Sequence, residues 1–154
     1  MRLAVGADHA GVRLKAILVD RLRTDGHDVV DLGTFDETPV DFPDIARRTC
    51  AAVLDGSAER AILVCGTGVG AAIASNKVPG IRAAVGHDAY SAHQAVEHDD
   101  VNVLCLGADV VGPTLAAELL QTYLAARFDP APEFARRVAM LAAMDERRPP
   151  ARKA

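Results

Sequence analysis

The feature that most constrains the fold is an alternation of short apolar runs with longer amphipathic segments. Apolar runs with the length and composition of strands lie at residues 2–6, 28–33, 60–65, 81–86 and 101–107. Amphipathic segments predict helices at residues 11–26, 44–56, 113–128 and 133–148. Repeated strand–helix units are typical of an α/β fold in which a parallel sheet carries helices on both faces. We therefore predict three layers around a five-stranded parallel sheet, with an extra C-terminal helix.

Length and composition favour a single domain. The chain has 154 residues, about the size of one domain, and half of them are hydrophobic. Residues 34–44 are polar and interrupted by prolines, so we expect a loop over the strand ends there. We predict one folded domain over residues 1–148 and a flexible tail over residues 149–154.

Charge and cysteine content argue against several classes of protein. The formal net charge of -4 provides no basic stripe for nucleic acid. Charged residues interrupt each apolar run before it reaches the length of a membrane span, and residues 1–6 are too short for a signal peptide. Three cysteines, an odd number without a close pairing motif, argue against a disulfide framework and fit a reducing compartment. We expect a cytoplasmic protein that binds neither nucleic acid nor membrane.

Residues 62–77, ILVCGTGVGAAIASNK, join a predicted strand to a predicted helix through a glycine-rich loop. Gly66, Gly68 and Gly70 allow the backbone to turn N–H groups toward one point, where the helix dipole also favours negative charge. Cys65 lies at the edge of this predicted anion hole, whose positive field favours a thiolate that acts as a base or nucleophile. The alternative is that Cys65 is a small buried hydrophobic residue at the end of a strand.

Other functions of this loop fit its residues less well. GTGVGA satisfies the G-x-G-x-x-A dinucleotide fingerprint, and Asp88 follows about 20 residues later, so cofactor binding is the second interpretation. A cysteine-dependent phosphatase requires an arginine where this chain has Ala71. A phosphate-binding P-loop requires lysine and serine or threonine directly after the last glycine, where AAIAS follows.

Further polar residues flank the predicted strands. Asp8 and His9 follow the first strand, at the edge where Cys65 and Thr67 also lie. The carboxyl ends of parallel strands form the usual binding crevice, so these four residues are candidates for one site. His98 precedes the fifth strand and is therefore expected at the opposite edge. Within one chain it would be far from Cys65, unless a second copy of the chain brings it into the crevice.

The histidines support a metal site only weakly. His93 and His98 are placed on different faces of a helix, as are His87 and His93, so neither pair has the spacing of metal ligands. We expect His87 and His93 to be solvated surface residues.

Taken together, these motifs resemble the ribose-5-phosphate isomerase B family, which includes the galactose-6-phosphate isomerase subunits. The resemblance runs from GADHAG through DLGT, CGTGVG, ASNKVPGIRAAV, YSA and NVLCLG to RRV, which is nearly the whole chain. It implies a Rossmann-like α/β fold without a metal or cofactor. It also implies a homodimer, or a dimer of dimers, whose active sites combine residues of two subunits.

The resemblance further implies roles for individual residues. Cys65 is implied to be the base that moves a proton between C1 and C2 of a sugar, and Thr67 to assist proton movement at the oxygens. His98 of a second subunit is implied to open the sugar ring. Binding of the substrate and the enediolate is implied for Asp8, His9, Gly66, Gly68, Val69 and Gly70.

This chain departs from the family's pattern at one end of the predicted site. Family members usually place arginines at the positions of Asp109, Glu133 and Arg137, and an asparagine at the position of Asp99. The tyrosine of the family's DYP motif is Phe42 here. We predict that Asp99, Asp109, Glu133 and Arg137 contact the substrate, with two expected positive charges replaced by negative ones.

The sequence thus predicts an aldose–ketose isomerase of a small sugar or sugar phosphate, with ribose 5-phosphate and ribulose 5-phosphate as the family default. An enediolate reaction requires a base near the carbon-bound proton and preorganised donors where negative charge develops; Cys65 and the glycine loop supply both. The acidic substitutions raise the alternative of an unphosphorylated or atypical sugar, since carboxylates accept hydrogen bonds from hydroxyls. A non-catalytic nucleotide- or sugar-binding module is the alternative of another class.

Overall fold

The structure, a computed structural model, describes residues 1–146 as alternating strands and helices. The strands are β1 (Arg2–Ala7), β2 (Asp28–Asp31), β3 (Arg60–Cys65), β4 (Ala83–Val85) and β5 (Val103–Gly107). The helices are α1 (Val12–Thr24), α2 (Phe42–Leu54), α3 (Val69–Ser75), α4 (Ala89–Asp99), α5 (Pro113–Ala125) and α6 (Pro132–Glu146). No helix in these residues is long and apolar enough to cross a membrane.

All five strands pair in parallel in one sheet, in the order β2-β1-β3-β5-β4. One face of the sheet packs against α1, α4 and α5, and the other against α2 and α3. Helix α6 packs on the outside of α4. The central strands β1, β3 and β5 are buried on both faces, which is why their sequences are continuously apolar rather than alternating. The predicted Rossmann-like α/β fold with an extra C-terminal helix is confirmed.

Several predicted element ends differ from the observed ones. The fourth strand, predicted over residues 81–86, is restricted to β4 because the N–H of Arg82 donates to the side chain of Asn102 rather than to a strand. Helix α2 begins at Phe42 instead of Asp44, since Pro43 fits the first helical turn, where no N–H donor is needed. The last helix ends its described part at residue 146. The predicted flexible tail, residues 149–154, lies outside the described residues.

The order of the strands creates a crevice at one edge of the sheet. The chain passes from β1 outward to β2 and then returns to place β3 on the other side of β1. Loops that follow β1 and β3 therefore diverge, and ligands of doubly wound sheets bind at such a switch point. Gly11 lets the start of α1 approach β3, because a Cβ there would lie 2.4 Å from the carbonyl oxygen of Val64.

An ion pair beneath the surface fixes the loop that borders this crevice. The ammonium of Lys15, whose residue is only 2% exposed, donates to Asp31 Oδ2 at 2.6 Å, at the end of β2. The ring of Phe35 covers the same ammonium at 4.7 Å. Farther along the loop, the N–H of Val40 donates to His9 Nδ1 at 3.3 Å. The loop predicted over residues 34–44 is thus tied to α1 and to the crevice.

Candidate functional site

The thiol of Cys65 lies where β3 turns into the glycine-rich loop. Its Sγ accepts a hydrogen bond from the N–H of Gly68 at 3.1 Å. Gly68 adopts a left-handed conformation with a φ of 77°, which other residues rarely adopt. Cys65 is 6% exposed and packs in the core under α2 and α3. The thiol therefore has both predicted features, since it borders the loop and is largely buried.

The outer side of the loop carries the other predicted loop residues. Thr67 is exposed, and its Oγ1 accepts the N–H of Val69 at 3.4 Å. Val69 begins α3 and is about half exposed. The ring of Phe42 packs on Gly70, where a Cβ would lie 3.2 Å from the ring. The loop is thus open to solvent at Thr67, and the ring of Phe42 covers it at Gly70, in the first turn of α3.

The end of β5 forms the floor of this loop. The N–H groups of Ala108 and Asp109 donate to the carbonyl oxygens of Cys65 and Gly66 at 2.8 and 2.9 Å. Gly107 lies directly under Thr67, because a Cβ on Gly107 would be 2.6 Å from the Thr67 carbonyl carbon. The loop conformation consequently depends on the position of the β5 backbone.

Asp8 and His9 lie at the same edge of the sheet, after β1. Asp8 is 8% exposed, and its Oδ1 accepts the N–H groups of Ala10 and Gly11 at 3.0 and 3.1 Å. One carboxylate oxygen of Asp8 therefore fixes the turn that leads into α1. His9 is partly exposed.

Asp109 adds a negative charge to the mouth of the crevice. It is exposed, and its Oδ2 lies 3.0 Å from the position that a Cβ on Gly66 would occupy. The carboxylate is therefore in contact with the glycine loop itself. A sugar group near Gly66 would meet this carboxylate.

The remaining predicted residues form a second group around the end of α4 and the start of α6. The ring of His98 stacks on Phe134, with centroids 4.0 Å apart and an interplanar angle of 16°. The guanidinium of Arg137 lies 5.8 Å from the same ring, and Glu133 is in the first turn of α6. Asp99 is exposed, and its carbonyl oxygen accepts from Arg82 Nε at 3.1 Å.

The structure brings the predicted residues together as two groups rather than one. The first group, at the carboxyl ends of β1, β3 and β5, contains Asp8, His9, Cys65, Gly66, Thr67, Gly68, Val69, Gly70 and Asp109. The second group contains His98, Asp99, Glu133 and Arg137. Because α4 ends where β5 begins, the second group lies at the opposite edge of the sheet, as the sequence predicted for His98. Among residues 1–146, no three His, Cys, Asp or Glu side chains are arranged to hold a metal ion.

The other two cysteines differ from Cys65 in their surroundings. Cys50 and Cys105 are completely buried. Burial raises the pKa of both thiols, and it does so most strongly for Cys105. Both therefore remain protonated thiols at neutral pH.

Sequence reasoning missed one residue of the site. His87 was expected to be a solvated surface residue, but it is half-buried and its Nε2 accepts the N–H of Gly107 at 3.1 Å. This bond assigns the ring proton to Nδ1 when the ring is neutral. The available signal was its position directly after the fourth strand, at the same edge as Cys65. His93, by contrast, is exposed, and its Nδ1 lies 3.5 Å from Glu97 Oε2.

The fold and the site define a doubly wound α/β protein with a thiol beside a glycine loop at its switch point. The family described as ribose/galactose isomerase matches residues 3–141. The chain belongs to the ribose/galactose isomerase family.

Individual relatives agree with this assignment. Ribose-5-phosphate isomerase B of Escherichia coli is 40% identical over 147 residues, which are 96% of this chain and 98% of that protein. D-Erythrulose-4-phosphate isomerase of Pectobacterium atrosepticum is 43% identical over 132 residues, which are 84% of this chain and 86% of that protein. The solved structure of Clostridium thermocellum ribose-5-phosphate isomerase B has a TM-score of 0.93 and 41% identity, covering 96% of this chain and 99% of that one. The predicted isomerase of the ribose-5-phosphate isomerase B type is confirmed at the level of the family.

Proposed function

We propose that the chain catalyses an aldose–ketose isomerisation of a sugar phosphate, with ribose 5-phosphate and ribulose 5-phosphate as the substrate pair. The observation that carries the proposal is the Cys65 thiol, held at the mouth of the glycine loop by the 3.1 Å bond from Gly68. A base next to backbone donors is the arrangement that enediolate chemistry requires.

In the proposed reaction Cys65 acts as a thiolate on the open-chain aldose. It removes the proton from C2, the electrons of that bond form a C1–C2 double bond, and the negative charge moves to O1. Backbone N–H groups of residues 66–70 that do not donate to Cys65 Sγ or Thr67 Oγ1 stabilise the developing charge. Thr67, exposed above the loop, passes a proton from O2 to O1, and return of the carbon-bound proton to C1 gives the ketose.

The second group of residues supports a site shared between two copies of the chain. His98 and Arg137 both lie next to the ring of Phe134 at the edge opposite Cys65, where they cannot act on a sugar bound at the same chain's loop. A homodimer, alone or as half of a dimer of dimers, would place this group over the partner's crevice. His98 would then assist ring opening, and Arg137 would bind the phosphate.

We place the enzyme in the cytoplasm, where its three free cysteines remain reduced.

A substrate panel tests the proposal. We expect a kcat/KM for ribose 5-phosphate of about 10⁴ M⁻¹s⁻¹ or more, in the ordinary range of enzymes. Tetrose, pentose and hexose phosphates and the matching free sugars are compared by following aldose–ketose conversion. Absence of conversion for every compound, with a folded and dimeric protein, would contradict the isomerase function and favour a binding module.

Asp109 supports a second candidate substrate class, a sugar whose distal end carries no phosphate. Its carboxylate touches the glycine loop, and Glu133 lies in the second group, at positions where the family resemblance leads us to expect arginines. A carboxylate repels phosphate and accepts hydrogen bonds from hydroxyls. On this alternative, a free sugar would be converted with a higher kcat/KM than its phosphate.

The acidic residues make a further prediction for a double variant. Replacing Asp109 and Glu133 with arginine changes repulsion of a phosphate into attraction, and a unit charge pair at 4 Å is worth about 4 kcal/mol at an effective dielectric of 20 before desolvation. We expect Asp109→Arg with Glu133→Arg to raise kcat/KM for phosphorylated sugars about tenfold or more, mainly through KM. Asp20→Arg with Glu118→Arg, which makes the same charge change at exposed positions of α1 and α5 outside both residue groups, is the control. An equal gain in the control would show that net charge alone explains the effect.

A further inference from the structure

The N–H of Gly107 has no acceptor from a neighbouring strand, because the strand on that side of β5 ends before it reaches Gly107. Gly107 pairs with Cys65 of β3, but on its other side β4 ends at Val85, whose partner in the register is Cys105. Gly107 is nevertheless buried. A buried backbone donor requires an acceptor, and here the acceptor is the Nε2 of His87 at 3.1 Å.

His87 is held firmly enough to fix this amide. The residue before it, Gly86, donates its N–H to the carbonyl oxygen of Cys105 at 3.1 Å. The residue after it, Asp88, caps α4 by accepting the N–H of Ser91 at 2.7 Å. The backbone of His87 is therefore fixed between β4 and α4, and the ring spans the gap left by the early end of β4.

The same segment of β5 supports the glycine loop from below. Thr67 lies in van der Waals contact over Gly107, and a Cβ on Gly68 would lie 3.3 Å from the Gly107 nitrogen. The imidazole of His87 and the loop residues Thr67 and Gly68 therefore all contact the backbone of Gly107.

We infer that His87 is a positioning residue of the isomerisation. Its neutral ring fixes the backbone of Gly107, and Gly107 in turn fixes the positions of Thr67 and Gly68 relative to the Cys65 thiol. The inference rests on the proposed function for its effect on catalysis, whereas the hydrogen bond itself does not depend on that function. Because positioning acts on the geometry of the reacting groups, its loss lowers kcat more than it raises KM.

Three variants separate this role from a general effect on folding. His87→Leu removes the acceptor, and we expect kcat to fall about tenfold or more while KM changes less than about threefold. His87→Gln retains an acceptor of similar reach and is expected to restore most of kcat. His93→Leu makes the same substitution at an exposed histidine of α4 and should leave both parameters unchanged. Wild-type kcat in His87→Leu, or an equal loss in His87→Gln, would overturn the inference.

Amide hydrogen exchange at Gly107 provides a measurement that does not require activity. We expect exchange at this amide to become about tenfold faster or more in His87→Leu and to remain slow in His87→Gln and His93→Leu. Unchanged exchange in His87→Leu would also overturn the inference. If no sugar is isomerised but Gly107 exchange responds as expected, the proposed function fails while the hydrogen bond of His87 is retained.

Discussion

Cys65→Ala is expected to lower kcat about 10²–10⁴-fold, the range that a positioned general base contributes. Proton transfer from C2 requires the thiolate, which alanine lacks. Cys65→Ser is expected to lose a similar factor, although its hydroxyl can still accept the N–H of Gly68, because a serine hydroxyl is a far weaker base at neutral pH. Steady-state kinetics with the best substrate of the panel measures both effects.

Cys50→Ala is the matched control for Cys65→Ala. Cys50 lies on α2, in the same apolar layer as Cys65, and is completely buried. We expect it to retain kcat within about threefold, with a loss of stability typical of a small truncation in the core. Thermal unfolding of both variants checks that the protein remains folded. Near-native turnover in Cys65→Ala would mean that Cys65 is only a buried core residue.

Mixing two inactive variants is expected to restore activity if the site is shared. In a dimer of Cys65→Ala with His98→Ala chains, one site combines an intact Cys65 with the partner's intact histidine, and the other lacks both. Random pairing of equal amounts makes half of the dimers hybrid, so about a quarter of the wild-type activity should return. Each variant alone should show a large loss, because neither homodimer contains a complete site.

The control for this experiment is proof that subunits exchange. A mixture of differently tagged wild-type chains, treated in the same way, must yield hybrid dimers by tandem affinity purification. Mixing Cys65→Ala with Cys65→Ser should restore no activity, since no hybrid of these two contains an intact Cys65. If tagged hybrids form but Cys65→Ala with His98→Ala remains inactive, a shared site is contradicted.

Sequence patterns predicted the parts of this fold that depend on local periodicity and on the succession of strands and helices along the chain. The continuous apolar runs of β1, β3 and β5 are visible because both faces of a central strand are buried. The link between Cys65 and the glycine loop is also local, since Gly68, which donates to Cys65, is only three positions later in the chain. His98 was placed at the opposite edge of the sheet because it precedes the fifth strand, whereas Cys65 ends the third.

Features that depend on the pairing of distant segments were not predictable in the same way. Lysine is a residue type expected on the surface of a helix. Lys15 is buried because it contacts Asp31, at the end of β2, and Phe35, in the loop that follows β2. The contact of His87 with Gly107 depends on where β4 stops in the register, and short edge strands have few residues to reveal their ends. Periodicity carries no information on either point.

The most direct test of the proposed chemistry is the exchange of the carbon-bound proton with solvent. The best substrate of the panel is incubated in D2O with wild-type enzyme or Cys65→Ser, and deuterium at C1 of the ketose and C2 of the aldose is followed by NMR. We expect the wild-type enzyme to introduce deuterium at both carbons during conversion, because a thiol proton exchanges with water. Cys65→Ser is expected to introduce deuterium at least about 10²-fold more slowly. Deuterium incorporation by Cys65→Ser at the wild-type rate would contradict the role of Cys65 as the base.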